Sequence, residues 1–143
     1  MTYPVSYELG QPKPKIIVVT CVDWRVHQGT YEGVIDELGI GYSDRISVAG
    51  PDKRLAEGDE AVLNEIVSVA ELHHCSEVRI IGHIACGMYG GLEAYGGDIQ
   101  KEAAAHFSNF EPGQKNLRAA VPRLTSVIFH LVGPDGKVIE KES

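Results

Sequence analysis

The sequence predicts an α/β domain: a mostly parallel central β-sheet of about four strands flanked by helices, with a C-terminal antiparallel edge strand. Three observations carry that reading. Apolar runs of strand length alternate with segments of helical period, the pattern of a parallel sheet with crossover helices. The first run, 15–20, is β-branched with no polar alternation, as expected of a strand buried on both faces. The residues able to do chemistry stand just after strand ends, where open α/β sheets form their sites.

Taken in order, residues 1–14 carry Pro4, Pro12 and Pro14 and read as an N-terminal arm. The first strand follows. Tyr31, Val34, Ile35 and Leu38 have helical spacing, and Gly39 and Gly41 stop that helix. Residues 44–50 read as a short strand ending in a small-residue turn, and 51–57 as a polar loop. The best helix spans 58–74, capped by Asp59, with Val62, Leu63, Ile66, Val67, Ala70 and Leu72 as its apolar stripe. Residues 77–83 form the third strand and lead into glycine-rich 87–91. Two helices, 98–110 and 115–124, precede a fourth strand over 125–132. Pro134-Asp135-Gly136 is a turn, after which 137–140 returns as the antiparallel edge.

With 143 residues, the chain reads as one domain over 1–143. Its 43% hydrophobic and 23% charged residues suit a soluble core-forming protein. A net charge of −7 without a basic cluster speaks against nucleic acid. No apolar stretch approaches the roughly 20 residues of a membrane span. The N-terminus lacks the apolar core of a signal peptide, so a cytoplasmic location is expected. Three cysteines, an odd count, point to metal or thiol chemistry rather than a disulfide framework. A redox thiol pair is disfavoured because no C-x-x-C is present.

The candidate site comes from two segments. Gly82-His83-Ile84-Ala85-Cys86-Gly87 ends the third strand, and Cys21-Val22-Asp23-Trp24-Arg25 ends the first. Imidazole and thiolate are the usual zinc ligands, so Cys21, His83 and Cys86 form a candidate three-ligand Zn2+ site. Three protein ligands leave a fourth position open, as in catalytic zinc sites. Asp23 and Arg25 are the candidate catalytic pair. With Arg25 holding its carboxylate, Asp23 can orient a water; released, it can swing in as a fourth ligand and close the site.

The remaining candidates have plainer readings. Cys75 reads as structural, and His73 and His74 as helix C-terminal residues suited to the dipole. His27 reads as an exposed loop residue, with proton shuttling as its alternative. His106 and His130 read as surface or satisfied sheet residues, and Tyr31 and Tyr89 as packing residues.

Together, Cys21-x-Asp23-x-Arg25 and His83-x-x-Cys86, with Gly82 and Gly87, resemble the zinc-site motifs of the β-class carbonic anhydrases. Val48-Ala49-Gly50 resembles that family's Asn-Ala-Gly turn with the Asn replaced, and the order of elements agrees from about Lys15 to Val132. The resemblance implies a Cys-His-Cys zinc site, an Asp–Arg dyad and a homodimer or larger homo-oligomer. It also implies reversible hydration of carbon dioxide to bicarbonate by zinc-bound hydroxide. Close relatives of the family hydrolyse carbonyl sulfide or carbon disulfide with the same ligands, and a zinc-stabilised binding module without turnover is a further alternative. Trp24 stands where the family commonly has a small residue, and its bulk is expected to narrow the approach or pack against a subunit.

Overall fold

A computed structural model describes residues 9–26 and 28–141; His27 and the first eight residues of the arm lie outside these. Four strands, β1 (Ile16–Cys21), β2 (Ser43–Val48), β3 (Glu77–His83) and β4 (Ser126–Val132), form one sheet in the order β2-β1-β3-β4. All neighbours pair in parallel. Helix α1 (Gln28–Glu37) joins β1 to β2, α2 (Pro51–Ala56) and α3 (Glu60–His73) join β2 to β3, and α4 (Ile99–Ala120) precedes β4. Among the described residues no helix is long and apolar enough to cross a membrane.

Strand alternation divides the core between two faces. Ile17, Val19, Val78, Ile80, Val127 and Phe129 pack with Leu55 of α2, Val62 and Ile66 of α3 and Leu117 of α4. Val18 and Ile81 face the other way, onto Tyr31, Val34 and Ile35 of α1. Ile17, Val18 and Val19 are fully buried in succession, which accounts for the uninterrupted apolar run of β1. Asp59 caps α3 through the amides of Ala61 and Val62. Leu72, counted in that helix's stripe, instead faces solvent.

Three other expectations are corrected. Residues 51–57 are not a loop: α2 starts with Pro51 in its first turn and buries Leu55, in a helix too short for its period to show in sequence. The two helices expected over 98–124 are one, α4, which runs through Pro112. A Cβ on the next residue, Gly113, would lie 2.6 Å from the Phe129 ring, so the helix packs against β4 just where Pro-Gly suggests a break. The C-terminal antiparallel edge strand does not form. After the turn a single antiparallel bridge joins Val132 to Val138, with the Ile139 amide donating to Leu131 O, and the pairing goes no further; the Ile139 side chain packs with Ile84, Ala103 and Leu131.

Candidate metal centre

Because β1 and β3 are adjacent and parallel, their carboxyl ends emerge side by side, with Thr20 paired to Ile81. Cys21 closes β1 and His83 closes β3. Cys86 lies three residues on, at the N-cap of a 3-10 turn, Gly87–Tyr89. The fold thereby brings Cys21, His83 and Cys86 together from positions far apart in the chain. One ligand atom of each lies within 4.8 Å of the others, and all three are buried, which makes the triad able to hold a metal ion. It is the one such group among the described residues.

The donor set fits a metal. His83 Nδ1 is 2.9 Å from the Ile84 carbonyl, to which it can donate, and that leaves Nε2 free to ligate. Nε2 is buried without a hydrogen-bond partner, a costly state for an imidazole nitrogen facing two sulfurs unless a cation takes it. The Gly50 amide donates to Cys21 Sγ at 3.5 Å. A hydrogen bond from Cys86, helped by His83 and Gly50, brings the Cys21 thiol down from 9.0 to about 4. The same bond to Cys21, with burial, pushes the Cys86 thiol up. Burial disfavours a charged His83, but the neighbouring Cys21 thiolate and the Ile84 carbonyl outweigh burial and raise its pKa.

The turn after β2 is shaped for this approach. Gly50 has φ 51°, and a Cβ there would lie 2.5 Å from Met88 Cβ. Only glycine satisfies both conditions without displacing the segment that carries Cys86. Val48, where the related motif has Asn, pairs with Cys21 and plays a sheet role.

Asp23 and Arg25 meet in a two-pronged pair, Nη2 to Oδ2 at 2.7 Å and Nε to Oδ1 at 3.1 Å. The Arg25 amide also donates to Asp23 Oδ1 at 2.9 Å, and Nη2 donates to Ala85 O at 2.5 Å. Arg25 therefore ties the Cys21 segment to the Cys86 segment. Its guanidinium holds the Asp23 carboxyl down at about 2, so the group is a carboxylate at neutral pH. Asp23 Oδ2 stands 3.7 Å from His83 Nε2, held by Arg25 and beside the ligand cluster.

A cavity opens over the cluster, lined by Cys21, Val22, Asp23, Trp24, Arg25, Ala49, Cys86, Gly87 and Met88. Trp24 is 88% exposed at its rim, so its ring stands away from the sulfurs and does not cap them. Tyr31 is buried in the α1 layer, and Cys75 is a buried core thiol near Pro14 O, both in the packing roles expected. His73 bonds Asp44 at 2.6 Å, and His74 takes the left-handed C-cap position of α3. His130 sits on β4 beside Arg79.

His106 departs from its expected surface or sheet place. It lies fully buried on α4 between Asp52 and Glu102, under the Cys86 loop. Sequence reasoning passed over Glu102 and Asp52 as well. The available signal was the α4 stripe itself, in which Glu102 and His106 occupy the same buried ladder as Ala103, Gly113 and Leu117.

A family described as "Putative carbonic anhydrase" matches residues 11–129, a span containing both segments of the cluster. The fold is shared with three solved structures. The β-carbonic anhydrase isoform I of Trichomonas vaginalis is 20% identical with TM-score 0.63, over 95% of this chain and 86% of that one. The carbonic anhydrase of Streptococcus mutans is 19% identical with TM-score 0.64, over 97% and 88%. The β-carbonic anhydrase CafA of Aspergillus fumigatus is 18% identical with TM-score 0.53, over 92% and 76%. No curated protein matches the sequence. The match across most of the chain shows that this chain belongs to the carbonic anhydrase family so described, and its fold is the one the β-carbonic anhydrases share.

Proposed function

We propose that the protein catalyses the zinc-dependent reversible hydration of carbon dioxide to bicarbonate, with Cys21, His83 and Cys86 as the zinc ligands. The observation that carries the reading is the partnerless, buried His83 Nε2 facing two thiols, with an Arg-held carboxylate 3.7 Å away. Zinc bound there would act as a Lewis acid and lower the pKa of water from about 16 towards about 7.

The chain's own residues do the rest. Asp23, kept ionised by Arg25, accepts a hydrogen bond from the attacking water and turns its lone pair towards the substrate carbon. Arg25 fixes that carboxylate and, through Ala85 O, holds the two ligand segments in register. In this state Asp23 is engaged by Arg25, which favours the open site over one closed by Asp23 as a fourth ligand. Val22, Ala49 and Met88 give the cavity apolar walls suited to a small linear molecule without charge. Bicarbonate and the released proton leave past the exposed rim. Exposed Val22, Trp24 and Met88 at this mouth support assembly into a homodimer or larger homo-oligomer.

Stopped-flow carbon dioxide hydration by zinc-quantified protein, across neutral and mildly alkaline pH, tests the reading. Turnover that rises with pH is expected. A fully zinc-loaded chain that fails to hydrate carbon dioxide, or that only releases hydrogen sulfide from carbonyl sulfide, would overturn it.

A further inference from the structure

We infer that Glu102 is a positioning residue for the metal centre: its buried carboxylate holds the Ala85–Cys86 backbone in the conformation that presents the Cys86 sulfur. The inference rests on Cys86 being a ligand. Ala85 adopts φ 65°, a left-handed conformation that side-chain-bearing residues seldom occupy without support. That conformation turns two successive amides towards one point, making a small anion-binding concavity. Glu102 Oε2 fills it, accepting from Ala85 N at 2.7 Å and Cys86 N at 3.4 Å.

The carboxylate is itself held from behind. His106 Nε2 is 3.0 Å from the same Oε2, while Nδ1 is 2.5 Å from Asp52 Oδ2. Tyr89 donates to that Asp52 oxygen at 2.8 Å and stacks on the His106 ring with centroids 3.8 Å apart. Its own backbone amide bonds Cys86 O, so the chain of contacts returns to the ligand loop. Asp52 also presses on the strand residue before His83: a Cβ at Gly82 would lie 3.0 Å from Asp52 Oδ2.

Burial argues that this cluster serves the site. Among the described residues four polar or charged side chains are buried, Asp52, His83, Glu102 and His106. One is the candidate ligand, and the other three form this single chain behind it. Burying two carboxylates is costly and is a poor way to gain stability alone, since apolar replacements of buried ionic groups are often as stable. Glu102 takes all its contacts on Oε2, whereas Oε1 has no partner. The placement of one acceptor atom is therefore the feature the cluster controls.

The test uses the full chain and two variants, Glu102→Leu and Glu102→Gln. Zinc affinity is read by chelator competition, the ligand geometry by the thiolate-to-cobalt absorption of the Co2+ form, and the loop by amide hydrogen exchange. Glu102→Leu removes the acceptor at similar volume. It is expected to weaken zinc about 10- to 100-fold, alter the cobalt spectrum and release protection at the Ala85 and Cys86 amides. Glu102→Gln keeps a carbonyl oxygen at Oε2 and is expected to restore most of the affinity. His73→Gln, which breaks the remote His73–Asp44 pair, is expected to leave zinc affinity unchanged. A folded Glu102→Leu chain with wild-type zinc affinity and cobalt spectrum overturns the inference. So does rapid exchange of both amides in the metal-free wild-type chain, a result that needs no variant to fold. Either failure leaves wild-type carbon dioxide hydration untouched, whereas failure of the hydration reading shows as a zinc-loaded wild type without turnover.

Discussion

The two segments that meet at the candidate metal centre are held in opposite ways. The Cys21–Arg25 segment leaves β1 into solvent: Val22 and Trp24 are exposed, and Arg25 has half its side chain in water. Its order comes from Arg25, which folds back on Asp23 two residues away and reaches across to Ala85 O. The His83–Cys86 segment leaves β3 into the interior, and its order comes from α2 and α4 through buried Asp52, His106 and Glu102. The contrast suits a division of labour. A group that handles water and product belongs at the wet edge, whereas ligands gain from a rigid, dry support.

Breaking each side should give different losses. The largest is expected from His83→Ala, which removes a ligand from the buried side: metal analysis should fall from about one zinc per chain to almost none. Retained stoichiometric zinc would refute ligation by His83. Asp23→Ala, on the exposed side, should keep its zinc and lose about 100-fold or more in kcat/KM. Full activity there would remove Asp23 from the mechanism and with it the division of labour.

Smaller effects sharpen the contrast. Gly82→Ala drives a methyl against an Asp52 carboxylate already bonded to His106 and Tyr89. Urea unfolding should show a loss of about 1–3 kcal/mol, the usual range for overpacking. An unchanged midpoint would mean that the network yields freely. The subtlest effect is on pH dependence, at the β4 neighbour of the strand carrying His83. Burial, aided by Arg79 and opposed by Glu77, lowers the His130 pKa from 6.5 to about 4. Between those values the unfolded chain binds the proton and the folded chain does not. The stabilising contribution is thus complete above 6.5 and is lost as pH falls towards 4. His130→Gln should flatten that part of the stability–pH curve, and an unaltered slope would reject the assignment.

Legibility in the sequence followed the range of the interactions. The four strands, the Asp59 cap and the glycine stops are properties of neighbouring residues and could be read directly. So could the candidate cluster of Cys21, His83 and Cys86 and the Asp23–Arg25 pair beside it, because the residue types are chemically distinctive and stand at strand ends. Helix α2 escaped because six residues show too little of a period, and of its buried residues, Pro51, Asp52 and Leu55, only Leu55 is an aliphatic core side chain. Pro112-Gly113 looked like a break because its local propensity is poor, yet Gly113 is where α4 comes closest to Phe129. His106 looked peripheral because an isolated histidine has no signature, and its partners Asp52 and Glu102 lie on different helices. The expected return strand failed for a similar reason: the pairing goes no further than Ile139, whose side chain packs with Ile84, Ala103 and Leu131, a choice that the turn sequence does not encode.

The amino-acid sequence by itself determined the parallel α/β architecture and the chemical identity of the candidate donors, since hydrophobic period and donor chemistry are local quantities. The tertiary structure alone decided that β1 and β3 lie side by side, which brings Cys21 to His83. It alone decided that a buried carboxylate from α4 would meet the two amides at the Cys86 turn. Both depend on which distant surfaces pack together, and burial makes the difference: a polar group removed from water must find its partner wherever the fold supplies one.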